Sequence, residues 1–155
     1  MKTTIVQNRP RALILSAFIL SMLLFGACKI ILVSSYDDKI VEQIENLSKS
    51  IDKFYLTMLE TTTETGGGRA YSNFAEQYIA IDIELQFLLN KNKARAKNEE
   101  TVEICEKTIK LFEKYKNEHK KDNTISNADI TLNLNSMRRI LEPLLISEIA
   151  KKMAK

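Results

Sequence analysis

From Ile40 onward the apolar positions recur at steps of three and four, the spacing of a helix that buries one stripe and solvates the rest. Ile40, Ile44, Leu47, Ile51, Phe54 and Met58 form the first stripe, widened by Val41, Tyr55 and Leu59. Ser35 with Asp38 three residues later reads as the capping box that opens it. The stripe ends at Thr61-Thr62-Thr63-Glu64-Thr65-Gly66-Gly67-Gly68, where β-branched residues and glycines remove the helical preference and a plain flexible connection is expected. It is not a phosphate loop, because no Lys-Ser/Thr pair follows and no strand precedes it.

A second stripe begins near Ser72 or Asn73 and runs through Phe74, Tyr78, Ile81, Leu85 and Leu88. Ile79, Ile83, Phe87 and Leu89 make this segment the most apolar of the set, which predicts the most buried helix. The basic run Asn90 to Lys97 then reads as a solvated turn whose cations complete a helix C-terminus. A contact with lipid headgroups or an acidic partner is the sharper alternative. Asn98 is placed to cap a third helix, with Glu99 and Glu100 in its first turn and Val102, Cys105, Ile109 and Phe112 on its stripe. Cys105 thereby falls at a core position.

Ser126 with Asp129 is a second capping box, opening a last helix with Ile130, Leu134, Met137, Leu141, Leu144 or Leu145, and Ile149 inward. Pro143 predicts a kink or short break near Leu141, then continuation to Lys155. Four amphipathic segments with polar breaks predict an all-α fold, an antiparallel four-helix bundle over residues 36–155.

Ahead of the bundle the pattern changes. Lys2, Arg9 and Arg11 precede any acidic residue, Ala12 to Phe25 is almost wholly apolar, and the small pair Gly26-Ala27 leads to Cys28. That is the layout of a secretory signal. The stretch Leu24-Phe25-Gly26-Ala27-Cys28 resembles the lipobox of bacterial lipoproteins. The resemblance implies cleavage before Cys28, a diacylglycerol on its thiol and an acylated amino terminus, hence a signal peptide over 1–27 and a lipidated tether over 28–35. Two or more chains make such anchoring stable where one is marginal. Lys29 after the cysteine, rather than aspartate, implies the outer membrane facing the periplasm if the cell is Gram-negative.

The competing reading is an uncleaved signal anchor, since Ala12 to Val33 is 22 residues with one charge. The basic residues before Ala12 place residues 34 to 155 outside the cytoplasm in either case. Tyr36-Asp37, Phe54 with Met58-Leu59-Glu60, the glycine-rich turn, Tyr71, Asn73 and the ending Glu148-Ile149-Ala150-Lys151-Lys152 resemble small helical lipoproteins of proteobacteria of uncharacterised function. That likeness implies location and helical fold and no catalytic residue.

Charge and chemistry narrow the function. The formal charge is +3, but three of the 23 basic residues and none of the 20 acidic ones precede Cys28, so the remainder is neutral. No field for nucleic acid is indicated, and none is expected as a partner. With Cys28 lipidated, Cys105 is the sole thiol and no internal disulfide forms. His119 is the only histidine, which excludes a two-histidine zinc site. His119 with Met58, at the same level of parallel diagonal helices, is the one haem-ligating pair the pattern offers. It is set aside, because Glu118, Lys120 and Lys121 dress His119 as an exposed helix end. Asp82 with Glu84, and Glu99 with Glu103, read as solvated helix faces. No metal, cofactor or catalytic residue is expected.

The reading is a non-enzymatic, lipid-anchored interaction or structural protein of the cell envelope, with an envelope protein as partner. The alternative is a ligand-binding or inhibitory module, signalled by a cavity lined by Tyr55, Tyr78, Phe87 and Phe112. A signal-anchored sensor-like domain is weakened by the end of the sequence at Lys155 without a second span.

Overall fold

The stripe from Ile40 to Met58 folds as one helix, α1 (Asp38–Thr61), with Ile44, Leu47, Tyr55 and Met58 shut from solvent. The structure is a computed structural model that describes residues 33–153, part of the unit Val33–Lys155. Residues 1–32, where the expected signal segment and the lipobox-like Leu24 to Cys28 fall, and the last two residues lie outside the described residues.

Asp37, not Ser35, caps α1: its carboxylate accepts the Lys39 amide at 2.9 Å. At the other end the Thr61 and Thr62 hydroxyls bond back to the Thr57 and Met58 carbonyls, competing with the helical ladder where it stops. Gly66 and Gly67 follow with φ of +78° and +74°, a left-handed pair that side chains resist. The loop is more organised than a plain flexible connection, because the Asn73 amide donates to the Gly67 and Gly68 carbonyls.

With Asn73 so engaged, Tyr71–Asn73 forms a single 3-10 turn and α2 (Ala75–Lys93) starts later than Ser72 or Asn73. Next comes α3 (Glu99–Asp122), stopped by left-handed Asn123, whose side chain accepts the Tyr71 amide. Asn98 occupies the cap position, but its side chain turns inward and leaves the α3 amides uncapped.

The last helix, α4 (Asn127–Ala150), opens as expected, with Ser126 Oγ accepting the Asp129 amide at 3.1 Å. Pro143 does not break it. The residue is exposed and removes one backbone donor, while Leu141 and Leu144 on either side hold the helix to the core. Regular helix stops at Ala150, short of Lys155.

Among the described residues there are four α-helices and no strand. Helix α1 packs against α2 and α4, and α3 packs against the same two. The shared core is aliphatic toward one end and aromatic toward the other, where Phe54, Phe74, Tyr78 and Phe112 meet edge to face or tilted. Among the described residues no helix is long and apolar enough to cross a membrane.

Candidate interaction surface and its supporting clusters

The clearest departure from the sequence pattern lies on α2. Ile81, Leu85, Leu88 and Leu89 are buried, but Ile79, Ile83 and Phe87 are 53, 51 and 61% exposed. Steps of four place these three one above another on the side opposite Leu85 and Leu88. The expectation that α2 is the most buried helix is therefore corrected: its apolar residues occupy both faces, and among the described residues only one face has a neighbour. Two shallow grooves flank the stripe. One, of about 320 Å³, lies between α1 and α2 and is lined by Phe54, Thr57, Phe74, Gln77, Ala80 and Ile81 among others. The other, of about 270 Å³, is bordered by Ile83, Gln86, Phe87 and Asn90.

The four aromatic residues offered as a cavity lining do not come together. Tyr55, Tyr78 and Phe112 are buried in the core, and Tyr78 and Phe112 pack with ring centres 5.6 Å apart, while Phe87 faces outward.

At the Ser34 end of the domain, a polar cluster is largely withdrawn from water. Glu148 has no exposed surface, and its carboxylate accepts Arg95 Nη2 at 2.6 Å, Arg95 Nη1 at 3.0 Å, Lys151 Nζ at 2.7 Å and the Asp37 amide at 3.1 Å. Burial by itself raises its pKa, but hydrogen bonds and charge from Arg95 and Lys151 outweigh burial and hold it below the usual carboxylate range. Ser34 joins through its amide to the Lys97 carbonyl and through Oγ to Asn98 at 2.7 Å. Lys151 also reaches Ser34, and Asn98 donates to the backbone and side chain of Asn92.

This corrects the reading of residues 90–97 as a solvated turn. Arg95 is half-buried on Glu148 and Lys93 pairs with Glu106 at 2.9 Å, so two of its cations are used within the chain. Asn98 serves this cluster rather than the α3 terminus, which is why its cap is missing.

The opposite end is held by His119 and Arg69. His119 is 2% exposed, contrary to the exposed helix end expected from its neighbours in sequence. Its Nε2 lies 2.8 Å from the Arg69 carbonyl and its Nδ1 lies 3.0 Å from the Tyr78 hydroxyl. Since a carbonyl only accepts, Nε2 carries the proton and Tyr78 donates to Nδ1. Burial lowers the His119 pKa, partly offset by the Arg69 carbonyl. Met58 is buried in the core, and both ring nitrogens of His119 are occupied.

The Arg69 guanidinium is buried and donates to the Thr62 carbonyl at 3.0 Å and the Ile125 carbonyl at 3.1 Å, tying the end of α1 to the segment before α4. A cation on the carbonyls at the end of a helix is favoured by the helix dipole. Nothing in the local sequence marks Arg69 or Glu148 for burial, because the Ile125 carbonyl and Arg95 that meet them across the fold lie 56 and 53 residues away.

No family model, curated protein or solved structure matches this chain. The likeness to small helical lipoproteins therefore rests on the residues quoted from the sequence alone.

The remaining candidates carry no reactive geometry. Asp82 is bonded to Lys116, Glu84 accepts from Ser50 and Glu103 pairs with Lys107. Cys105 is buried and its thiol pKa is pushed up to about 11, chiefly by desolvation. Such a thiol is a poor nucleophile at neutral pH. Among the described residues no His, Cys, Asp or Glu cluster is arranged to hold a metal ion.

Proposed function

We propose that this chain is a lipid-anchored, non-enzymatic protein of the cell envelope that presents the outer face of α2 to another protein. The observation that carries the interaction role is the Ile79, Ile83 and Phe87 stripe, which faces solvent at the centre of a helix otherwise packed on its inner side. A contiguous apolar strip left open on a folded domain is a mark of a docking surface. The tight packing of Tyr55, Tyr78 and Phe112 favours this over an internal ligand cavity.

The architecture that presents the face is an antiparallel four-helix bundle. Supporting it, Asp37 meets Glu148 and Asp52 meets Arg138, so α4 runs back as α1 runs forward. Tyr78 meets His119, Asp82 meets Lys116 and Lys93 meets Glu106, the same relation between α2 and α3.

Attachment is through Cys28, with residues 1–27 removed as a signal peptide and 28–35 left as a tether; the outer membrane facing the periplasm is favoured if the envelope is Gram-negative. The support is the order of charge, apolar run, small pair and cysteine in the sequence. Fractionation of cells expressing the wild type and Cys28→Ala tests this. The reading expects the wild type in the membrane pellet after an alkaline wash as an acylated species beginning at Cys28, and Cys28→Ala without acyl mass. A wild-type chain that stays in the washed membranes uncleaved and without acyl mass would sink the lipid anchor in favour of a spanning segment over 12–33.

A further inference from the structure

The outer face of α2 is close to self-complementary. Its centre is Ile83, with Ile79 one turn before and Phe87 one turn after. In helical projection Glu76 extends the stripe toward the N-terminus and Asn90 toward the C-terminus, with Lys91 at the edge on the side of Phe87. Glu76 and Lys91 are exposed, and neither has an ion-pair partner within the described chain.

We propose that a second copy of this chain docks on this face, its α2 antiparallel to the first across a two-fold axis at Ile83. Ile83 then meets its own copy, Ile79 of one molecule meets Phe87 of the other, and Glu76 comes opposite Asn90 and Lys91. A parallel pairing sets Glu76 against Glu76, so charge selects the antiparallel one.

The flanking groove fits the same arrangement. Ala80, Gln77 and Glu84 lie on the same side of the stripe as Phe87, and they form the α2 wall of the groove between α1 and α2. A two-fold axis perpendicular to the helices keeps that side and reverses position along the axis. Phe87 of each copy thereby faces the groove beside Ala80 of the other, which is the reciprocal contact an isologous dimer requires.

One strip of three apolar residues buries less than the ~800 Å² per partner of a typical stable complex. The contact is therefore weak in dilute solution and is populated when copies share a membrane, where tethering raises effective concentration. This names the partner for the proposed interaction face. Its geometry does not depend on acylation of Cys28.

Disulfide trapping in membranes of cells expressing the full chain, on a Cys105→Ala background, tests the pairing. Ile83→Cys should give a reducible band of twice the chain mass. Ile79→Cys and Phe87→Cys, expressed together, should crosslink to each other more than either does to itself. Leu132→Cys on α4, at 59% exposure, should give none.

On the Ile83→Cys background, Phe87→Glu should cut the band by about tenfold or more, as placing a charge in a central apolar contact does. Glu76→Lys should weaken it and Lys91→Glu in the same chain should restore it. Absence of the Ile83 band, equal trapping at Leu132, stronger trapping of Ile79 with itself, or an adduct of another mass would each overturn the second copy as occupant. A chain that is soluble yet traps at Ile83 would refute the anchor and keep the dimer; an acylated chain with no trapping does the reverse.

Discussion

Glu148 has no access to water, so its charge is balanced within the protein by Arg95, Lys151 and the Asp37 amide. Removing one side of such a buried pair strands the other, and Glu148→Ala should cost about 3–5 kcal/mol in chemical denaturation. The pH sign follows from its lowered pKa. The stabilisation is present above the unfolded carboxylate value, about 4.3, and is lost as pH falls through the lower folded value. Acid unfolding monitored by circular dichroism should therefore begin below pH ~4 and should lose part of its steepness in Glu148→Gln.

His119 acts in a higher window. It is held neutral in the fold, so the unfolded chain binds the extra proton first, and stability should drop as pH falls through about 6.5 toward the lower folded value. Denaturation midpoints at pH 7.5 and 5.5 should differ for the wild type and converge for His119→Gln. Of these residues the sequence revealed only identity. Glu148 and Arg95, or His119 and Tyr78, are joined across 53 and 41 positions, and local pattern is blind to partners at that separation.

Helices α1 and α3 follow their sequence stripes closely, because each has one apolar face and a polar remainder. Helix α2 defeats that logic. Its apolar residues point both ways, and periodicity alone does not say which side has a neighbour. Substitution separates the two sides: Leu85→Ala should cost about 2–5 kcal/mol, whereas Ile83→Ser should stay within about 0.5 kcal/mol in a monomeric sample. Comparable losses at both positions in urea melts would contradict the open face.

Pro143 is the converse case, legible as a disruption but overridden by packing on both sides. Pro143→Ala restores a donor for the Arg139 carbonyl and should stabilise by about 1–2 kcal/mol. Gly67, at φ +74° in open space, should lose about 1 kcal/mol as alanine through backbone strain rather than through contact.

For the molecule as a whole, the two buried clusters divide the work. His119 and Arg69 fasten one end, and the Glu148 cluster fastens the end where Ser34 enters the domain, six residues after Cys28. Helical class and helix number were readable from the stripes and breaks; the open α2 face and the buried charges required the chain to be folded.

Attachment through Cys28 is tested by the intact mass of the protein recovered from membranes of a bacterial host. The expected species begins at Cys28 and carries the added mass of acyl chains, absent in Cys28→Ala. An uncleaved chain of unmodified mass in the same membranes would contradict it.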